Sequence, residues 1–238
     1  MFNIKFPFYS LAILISLISN VIIVLLLSKK YAYPKNEIIG LLLYENVGII
    51  VGAKVFWFIE NYNLNHTFNF FSLGLSSYGA VIGAILSIIL FSIQFKKSFR
   101  ELLNIYMPSI PLMYSIGKIG CFLVGCCYGI EYDGIFKVTY NYSTSAPKNI
   151  SFFPIQILES IVFFLIFIYM IKKHIKNQFD LGTLEIGLVM CGSAKFLLDF
   201  LRFSHKNIIL STNQLVSIVF IIVGVILFFK YKRNSVKN

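Results

Sequence analysis

Residues 8–27 read FYSLAILISLISNVIIVLLL. Twenty positions pass without a charge, and a helix of that length rises about 30 Å, the thickness of a bilayer's hydrocarbon core. Six later stretches meet the same test: Ile38–Phe58, Leu73–Ile93, Leu103–Phe122, Phe152–Ile171, Gly182–Leu201 and Leu215–Phe229. Ahead of the first stretch the one cation is Lys5, and no small-residue cleavage pattern precedes Lys29, so it reads as an ordinary first span and not a cleaved signal. Composition agrees. Of 238 residues, 58% are apolar or aromatic and 13% charged, with a mean hydropathy of +0.79; a typical soluble domain is about 25% charged. These values exclude a soluble globular enzyme, a disordered chain and a disulfide-rich secreted module. The expectation is an all-α, polytopic integral membrane protein of seven transmembrane helices, forming a single domain over residues 1–238.

The net charge of +11 invites a nucleic-acid reading, but the 21 cations form no single basic face. Thirteen flank alternate span ends. Lys29, Lys30 and Lys35 follow the first span, and Lys96, Lys97 and Arg100 the third; Lys172, Lys173 and Lys176 follow the fifth, and Lys230, Lys232, Arg233 and Lys237 the seventh. The segment Asn61–Phe70 has none, and Gly129–Ser151 has Lys137 and Lys148. Basic loops stay in the cytoplasm. That predicts an outside N-terminus, a cytoplasmic C-terminus and no nucleic-acid partner. Gly129–Ser151 becomes the main external loop, partly irregular, and Asn234–Asn238 a disordered polar tail.

An ionisable side chain in mid-bilayer costs about 2.5–3.5 kcal/mol on insertion scales. Glu45, Lys54, Lys118, Glu159, Lys195 and Asp199 therefore each call for a reason. With the topology above, Lys54, Lys118, Lys195 and Asp199 fall in the outer parts of spans two, four and six. Glu159 lies just below the outer surface in span five, and Ser76, Ser77 and Tyr78 of span three reach the same level. Glu45 alone sits toward the inner side. Singly, these read as snorkelling lysines and paired structural charges. Five helices contributing at one depth point instead to a wet, outward-facing cavity with a cationic lining, suited to an anionic headgroup such as a lipid phosphate. Lys195 and Asp199 are spaced i, i+4, and Asp199 and Arg202 i, i+3; each pair shares a helix face, so Asp199 is expected to hold Lys195 in place.

At the outer end of span four runs GKIGCFLVGCCYG, Gly117–Gly129. Gly117, Gly120, Gly125 and Gly129, with Gly134 beyond, allow close backbone approach or a broken helix lining a cavity; packing alone would account for Gly117 and Gly120. Cys121, Cys126 and Cys127 lie near an oxidising face, where exposed thiols tend to pair. Three readings stay open for them: thiol–disulfide exchange coupled to a quinone, a metal site shared with His205, or small packing residues. An exchanger normally uses a C-x-x-C pair, which C-x4-C-C is not. For Cys191, packing is the reading. His66, His174 and His205 fall in loops or at span ends and read as solvated surface residues.

The segment Gly117–Gly129 resembles the signature of the prolipoprotein diacylglyceryl transferase family, approximately G-R-x-G-N-F-x-N-G-E-x-x-G, and shares its Gly117, Gly120, Phe122, Gly125 and Gly129. Lys118 stands at the family's Arg, Cys121 and Val124 at its two Asn, and Cys126 at its Glu. VGAK (Val51–Lys54) is similar to the family's G-x-R segment. GLSSYGAVIG (Gly74–Gly83) is similar to S-F-H-G-G-L-I-G, with Tyr78 at the His and Gly79 retained. FPIQILE (Phe153–Glu159) resembles H-P-x-Q-L-Y-E, keeping Pro154, Gln156 and Glu159. GSAKFLLDFLR (Gly192–Arg202) resembles G-x-x-R-F-x-x-E-F-x-R, with Lys195 and Asp199 at the Arg and Glu.

The resemblance implies a seven-helix, N-out protein of the bacterial cytoplasmic membrane with no metal or organic cofactor. It implies transfer of diacylglycerol from phosphatidylglycerol, a membrane lipid, to the lipobox cysteine of a prolipoprotein signal peptide at the outer face, releasing glycerol phosphate. Catalytic roles would fall to Tyr78, Glu159, Lys195 and Asp199. Substrate contacts would come from Lys54, Gly79, Gly117, Lys118, Cys121, Cys126, Gly129 and Arg202. Lys118 and Lys195 would take the phosphate, Tyr78 would place or activate the thiol, and Glu159 is the alternative base. All three matched intramembrane Arg positions are Lys here, which keeps the charge and loses the bidentate fork. Tyr78 and Cys126 leave open a relative that binds lipid or lipoprotein without transferring anything.

Overall fold

The computed structural model describes residues 8–29, 33–60, 76–143, 145–176, 182–206 and 209–235. In chain order they form α1 (Phe8–Ser28), α2 (Lys35–Glu60), α3 (Ser77–Gln94), α4 (Phe99–Tyr106), α5 (Ser109–Val124), β1 (Val138–Thr139), β2 (Ser151–Phe152), α6 (Ile155–Lys176), α7 (Thr183–Asp199), a 3₁₀ turn (Phe203–His205) and α8 (Thr212–Ser235). Among the described residues the strands are β1 and β2, an antiparallel pair that sets Val138 opposite Phe152 and Thr139 opposite Ser151.

Helices α1, α2, α6 and α8 are each long and apolar enough to cross a membrane. Aliphatic side chains cover their outer faces (Leu14, Ile18 and Ile22 on α1, Ile161 and Leu165 on α6), while Asn20, Glu45, Glu159, Glu185, Asp199 and Gln214 are buried. Apolar outside and polar within is the arrangement of a chain solvated by lipid. The other predicted spans come out shorter or broken. α3 starts at Ser77, and residues 73–75 of its predicted span lie outside the described residues. α7 has 17 residues, about 26 Å of rise. The predicted fourth span is two helices, α4 and α5, bent by 42°. Pro108 between them lacks the N–H that would bond the Asn104 carbonyl, and its ring crowds that carbonyl. An apolar run conceals such a break. Among the described residues, then, four helices qualify as spans, or five if the bent pair counts as one.

The chain packs as two compact units: residues 24–105, and residues up to 23 together with those from 106 onward. In the first, α2 lies on α3 through two facing G-x-x-x-G stripes. A Cβ on Gly52 would strike the carbonyl oxygen of Gly79, and one on Gly83 that of Gly48. Only glycine permits this approach. Lys97 pairs there with Glu37 at 2.7 Å.

In the second unit α5 lies on α6, α6 on α7 and α7 on α8. The Ser115 hydroxyl of α5 donates to the Ser160 carbonyl of α6 at 2.9 Å. A Cβ on Gly192 of α7 would come within 3.0 Å of the Ser217 carbonyl oxygen, and one on Gly224 of α8 within 3.0 Å of the Glu185 carbonyl oxygen. The segment Gly129–Ser151 is largely irregular, as expected, with β1 and the start of β2 its regular pieces, and it is packed as a cap. Tyr140, Ala146 and Phe152 are buried in it, surrounded by Phe122, Tyr128, Val138, Ile150 and Phe203. Its backbone is stitched on both sides: Ile130 N–H donates to Leu201 O (3.0 Å), Phe153 N–H to Ile130 O (2.9 Å) and Phe203 N–H to Tyr128 O (3.2 Å). The cap thus joins the end of α5, the start of α6 and the end of α7. Helix α8 continues through Ser235, into the expected tail; residues 236–238 lie outside the described residues.

Candidate functional site

Glu159, in the second turn of α6, has no exposed surface. Tyr114 and Lys118 stand one turn apart on α5, and Lys195 reaches it from α7. Lys118 Nζ lies 2.6 Å from Glu159 Oε2. Lys195 Nζ donates to Oε1 at 3.0 Å, and the Tyr114 hydroxyl donates to the same oxygen at 3.0 Å. Lys195 Nζ also donates to the Tyr114 hydroxyl oxygen at 2.6 Å. Both ammonium groups sit over the Tyr114 ring, 5.1 and 5.2 Å from its centroid. One carboxylate therefore serves two cations, and the face of the ring carries part of the excess.

Asp199 is the second anionic centre, at the end of α7 and equally buried. It accepts from the Ser211 hydroxyl and from Asn213 Nδ2 at 3.1 Å, and it lies 3.6 Å from Arg202 Nη1. It makes no ion pair with Lys195, contrary to the expectation from their i, i+4 spacing. Lys195 turns to α6, while Asp199 turns to the start of α8 and fixes that helix to the end of α7. Arg202 is buried, yet its Nε makes no hydrogen bond among the described residues, so its guanidinium keeps a donor uncommitted. Lys118, the half-buried Lys195 and Arg202 against Glu159 and Asp199 give the two groups together one net formal positive charge.

The thiols sit where α5 stops. Gly125 takes the left-handed conformation at φ 71°; its N–H bonds Phe122 O at 3.2 Å and the Cys126 N–H bonds Cys121 O at 3.1 Å. This is a Schellman stop, which brings together the side chains flanking it, here Cys121 and Cys126. Cys127 follows at φ 55°, and the three Sγ atoms lie within 4.8 Å of one another. All three are free thiols: Cys121 is buried, Cys126 half-buried and Cys127 exposed. Gln156 of α6 donates to the Cys126 carbonyl at 2.8 Å and accepts from the Tyr140 hydroxyl at 3.2 Å, so the cap holds the thiol turn.

Of the residues singled out in the sequence, Lys118, Glu159 and Lys195 are thus brought into contact, and Asp199 and Arg202 into a second group. Gly129 bridges to Arg202, at a place where a Cβ would collide with the Phe153 carbonyl oxygen. Gly117 faces open space. Lys54 and Tyr78 are half-buried on α2 and α3 of the other unit, where Gly79 is spent on packing against Gly52. Gln156 stood in the matched FPIQILE segment, whereas Tyr114, Ser211 and Asn213 were not legible as site residues. The one signal was the i, i+4 spacing of Tyr114 and Lys118. Two histidines depart from the surface reading: His174 is buried, and His205 lies 4.0 Å from Asp199 Oδ2, edge-on to Phe200 at 4.9 Å. His66 lies outside the described residues.

The sequence profile of the family "prolipoprotein diacylglyceryl transferase" matches residues 1–230. Phosphatidylglycerol–prolipoprotein diacylglyceryl transferase 2 of Clostridium perfringens is 27% identical over 244 aligned residues, covering 100% of this chain and 94% of its own length. The phosphatidylglycerol–prolipoprotein diacylglyceryl transferase of Clostridium tetani is 29% identical over 234 residues, 96% of this chain and 94% of its own. That of Dehalococcoides mccartyi strain CBDB1 is 33% identical over 187 residues, 75% of this chain and 71% of its own. A match that runs through every helix from α1 to α7, and across the clustered charges, means that this chain belongs to the prolipoprotein diacylglyceryl transferase family.

Proposed function

We propose that the chain moves a diacylglyceryl group from phosphatidylglycerol to the thiol of a lipobox cysteine in a prolipoprotein signal peptide. The relatives' names supply donor and acceptor class, and one observation on this chain carries the reading: two buried carboxylates, Glu159 and Asp199, held by three cations, Lys118, Lys195 and Arg202, in two neighbouring groups. Their uncompensated positive charge suits a leaving phosphate, which gains negative charge as its bond to glycerol breaks. In the step, the thiol gives its proton to solvent, its sulfur forms a bond to the terminal glycerol carbon, the bond from that carbon to the phosphate oxygen breaks, and glycerol phosphate leaves as the dianion with that bond's electron pair.

Lys118, Lys195 and Arg202 receive the phosphate. Asp199 positions Arg202. Glu159 has both oxygens engaged by Lys118, Lys195 and Tyr114, which suits it to setting the lysines rather than taking a proton. Tyr78, at the His position of the family pattern, is assigned to placing the thiol. Contacts from Lys54, Gly79, Gly117, Cys121, Cys126 and Gly129 rest on that pattern. Seven spans rest on the seven apolar runs, and an outside N-terminus and a cytoplasmic C-terminus on the alternating loop charge; with that topology the reaction takes place at the outer face of a bacterial cytoplasmic membrane.

The test uses the full chain in phosphatidylglycerol vesicles with a lipobox peptide, and mass spectrometry of the peptide thioether. The wild type forms the adduct, and Lys118→Ala lowers its rate by roughly 10²-fold or more, the usual loss for one charge-stabilising donor. A folded wild type that forms no adduct overturns the transferase reading. Undiminished transfer by Lys118→Ala overturns the phosphate assignment.

A further inference from the structure

The geometry points to Cys121, Cys126 and Cys127 as the ligands of one thiophilic metal ion of the Zn²⁺ class, with a fourth coordination position open to an added thiol. The proposal rests on the transferase reading only where it says which thiol that position serves, the acceptor cysteine.

Four observations carry it. A tetrahedral Zn²⁺ with bonds of 2.3 Å to sulfur separates its sulfurs by about 3.8 Å; here the three Sγ atoms already lie within 4.8 Å of one another, so rotation of the side chains closes the difference. The backbone is shaped for this convergence. Gly125 at φ 71° turns Cys126 back onto Cys121, and Cys127 is one of three non-glycine residues at positive φ among those described, a conformation that needs a reason in a cysteine. The cap holds this turn in place, since Gln156 Nε2 donates to the Cys126 carbonyl at 2.8 Å. Three soft donors select a soft ion over Mg²⁺ or Ca²⁺.

Burial grades outward across the set, from buried Cys121 through half-buried Cys126 to exposed Cys127. Three protein ligands with one accessible side is the pattern of a metal site that exchanges its fourth ligand, whereas a purely structural site closes all four. His205, the further ligand considered from sequence, lies against Asp199 instead. On binding, each thiol gives its proton to solvent and forms a sulfur–metal bond. An added thiol does the same, displacing a bound water. A thiol held in this way is already a thiolate, the nucleophile that thioether formation needs.

The experiment loads the full-length chain, in detergent and reduced with a phosphine, with Co²⁺ as the spectroscopic probe. The expected result is one Co²⁺ per chain, a sulfur-to-cobalt charge-transfer band of three-thiolate intensity, and displacement by Zn²⁺. Adding 2-mercaptoethanol raises the band toward four-thiolate intensity. Cys127→Ser, chosen because that side chain is exposed, drops it to two and weakens binding by roughly tenfold or more, since even second-shell changes cost 10–100-fold. The proposal is overturned by reduced chain that holds no stoichiometric Co²⁺, by binding that Cys127→Ser leaves unchanged, by a disulfide among these residues that resists reduction, or by a band that 2-mercaptoethanol does not alter. Thioether formation measured on the same samples separates the two readings: a cobalt band without adduct counts against the transferase, and an adduct without the band counts against the metal.

Discussion

Removing Glu159 and removing Lys118 are different experiments, because the carboxylate has two cationic partners. Without Lys118, Glu159 keeps Lys195 and the Tyr114 hydroxyl. Without Glu159, a buried and a half-buried ammonium group flank one ring with no anion between them. Deleting one member of a buried pair costs about 3–5 kcal/mol. Glu159→Gln is therefore expected at or above the top of that range and Lys118→Ala near its bottom, read as a clearly larger drop in Tm in detergent for the first. Equal losses would contradict the shared-carboxylate geometry. The charges themselves were legible in the sequence, since an ionisable group in an apolar run is too costly to be incidental. Their partners were not. Spacing along α7 pointed Lys195 to Asp199, but a side chain at i, i+4 competes with groups on neighbouring helices, and Glu159 on α6 wins.

Two kinds of glycine that look alike in the sequence part company at the level of helices. Gly52 and Gly83 lie where α2 and α3 touch, and a methyl group on either would meet the partner's backbone, which cannot yield as a flexible side chain can. Gly117 lies on α5 with no atom beyond its own stretch of helix backbone within 4 Å of where its Cβ would be. Gly52→Ala and Gly83→Ala are each expected to cost at least the roughly 1–3 kcal/mol of overpacking. Gly117→Ala is expected to be neutral or to stabilise α5 by up to about 1 kcal/mol, the ordinary helix preference for alanine. Thermal unfolding of the three variants side by side checks this; a loss at Gly117 matching the other two would refute the contrast. The helices were legible because apolar runs of span length are strong signals, whereas the break at Pro108 and the packing of the cap were not. Pro108 interrupts a run that stays apolar on both sides, so hydropathy does not register it. The cap is built from Tyr140, Phe152 and Phe203, aromatics scattered over more than sixty residues of sequence that meet only through backbone pairing of segments flanking three helices.

For the molecule as a whole, the buried polar set and the exposed aliphatic faces say that lipid is the solvent, and the positions of its cations predict which way the chain threads it. Thirteen of the 21 cations flank the ends of the first, third, fifth and seventh predicted spans, while Asn61–Phe70 carries none and the Gly129–Ser151 cap two. Positive charge is retained on the cytoplasmic side during insertion, and the bias acts through short loops such as these. A fluorescent protein fused after Asn238 should then fold and fluoresce in the cytoplasm. An alkaline phosphatase inserted after Gly134 in the cap, where Ile135 and Phe136 are exposed, should be active because it reaches the outside. Changing Lys230, Lys232, Arg233 and Lys237 together to Gln should weaken the contrast without abolishing it, since the three other basic loops still vote for the same orientation. A dark C-terminal fusion with an active phosphatase there instead would reverse the threading. It would then put the Lys118, Glu159 and Lys195 cluster on the side of the membrane where signal peptides have not yet crossed, and the proposed reaction would lose its acceptor.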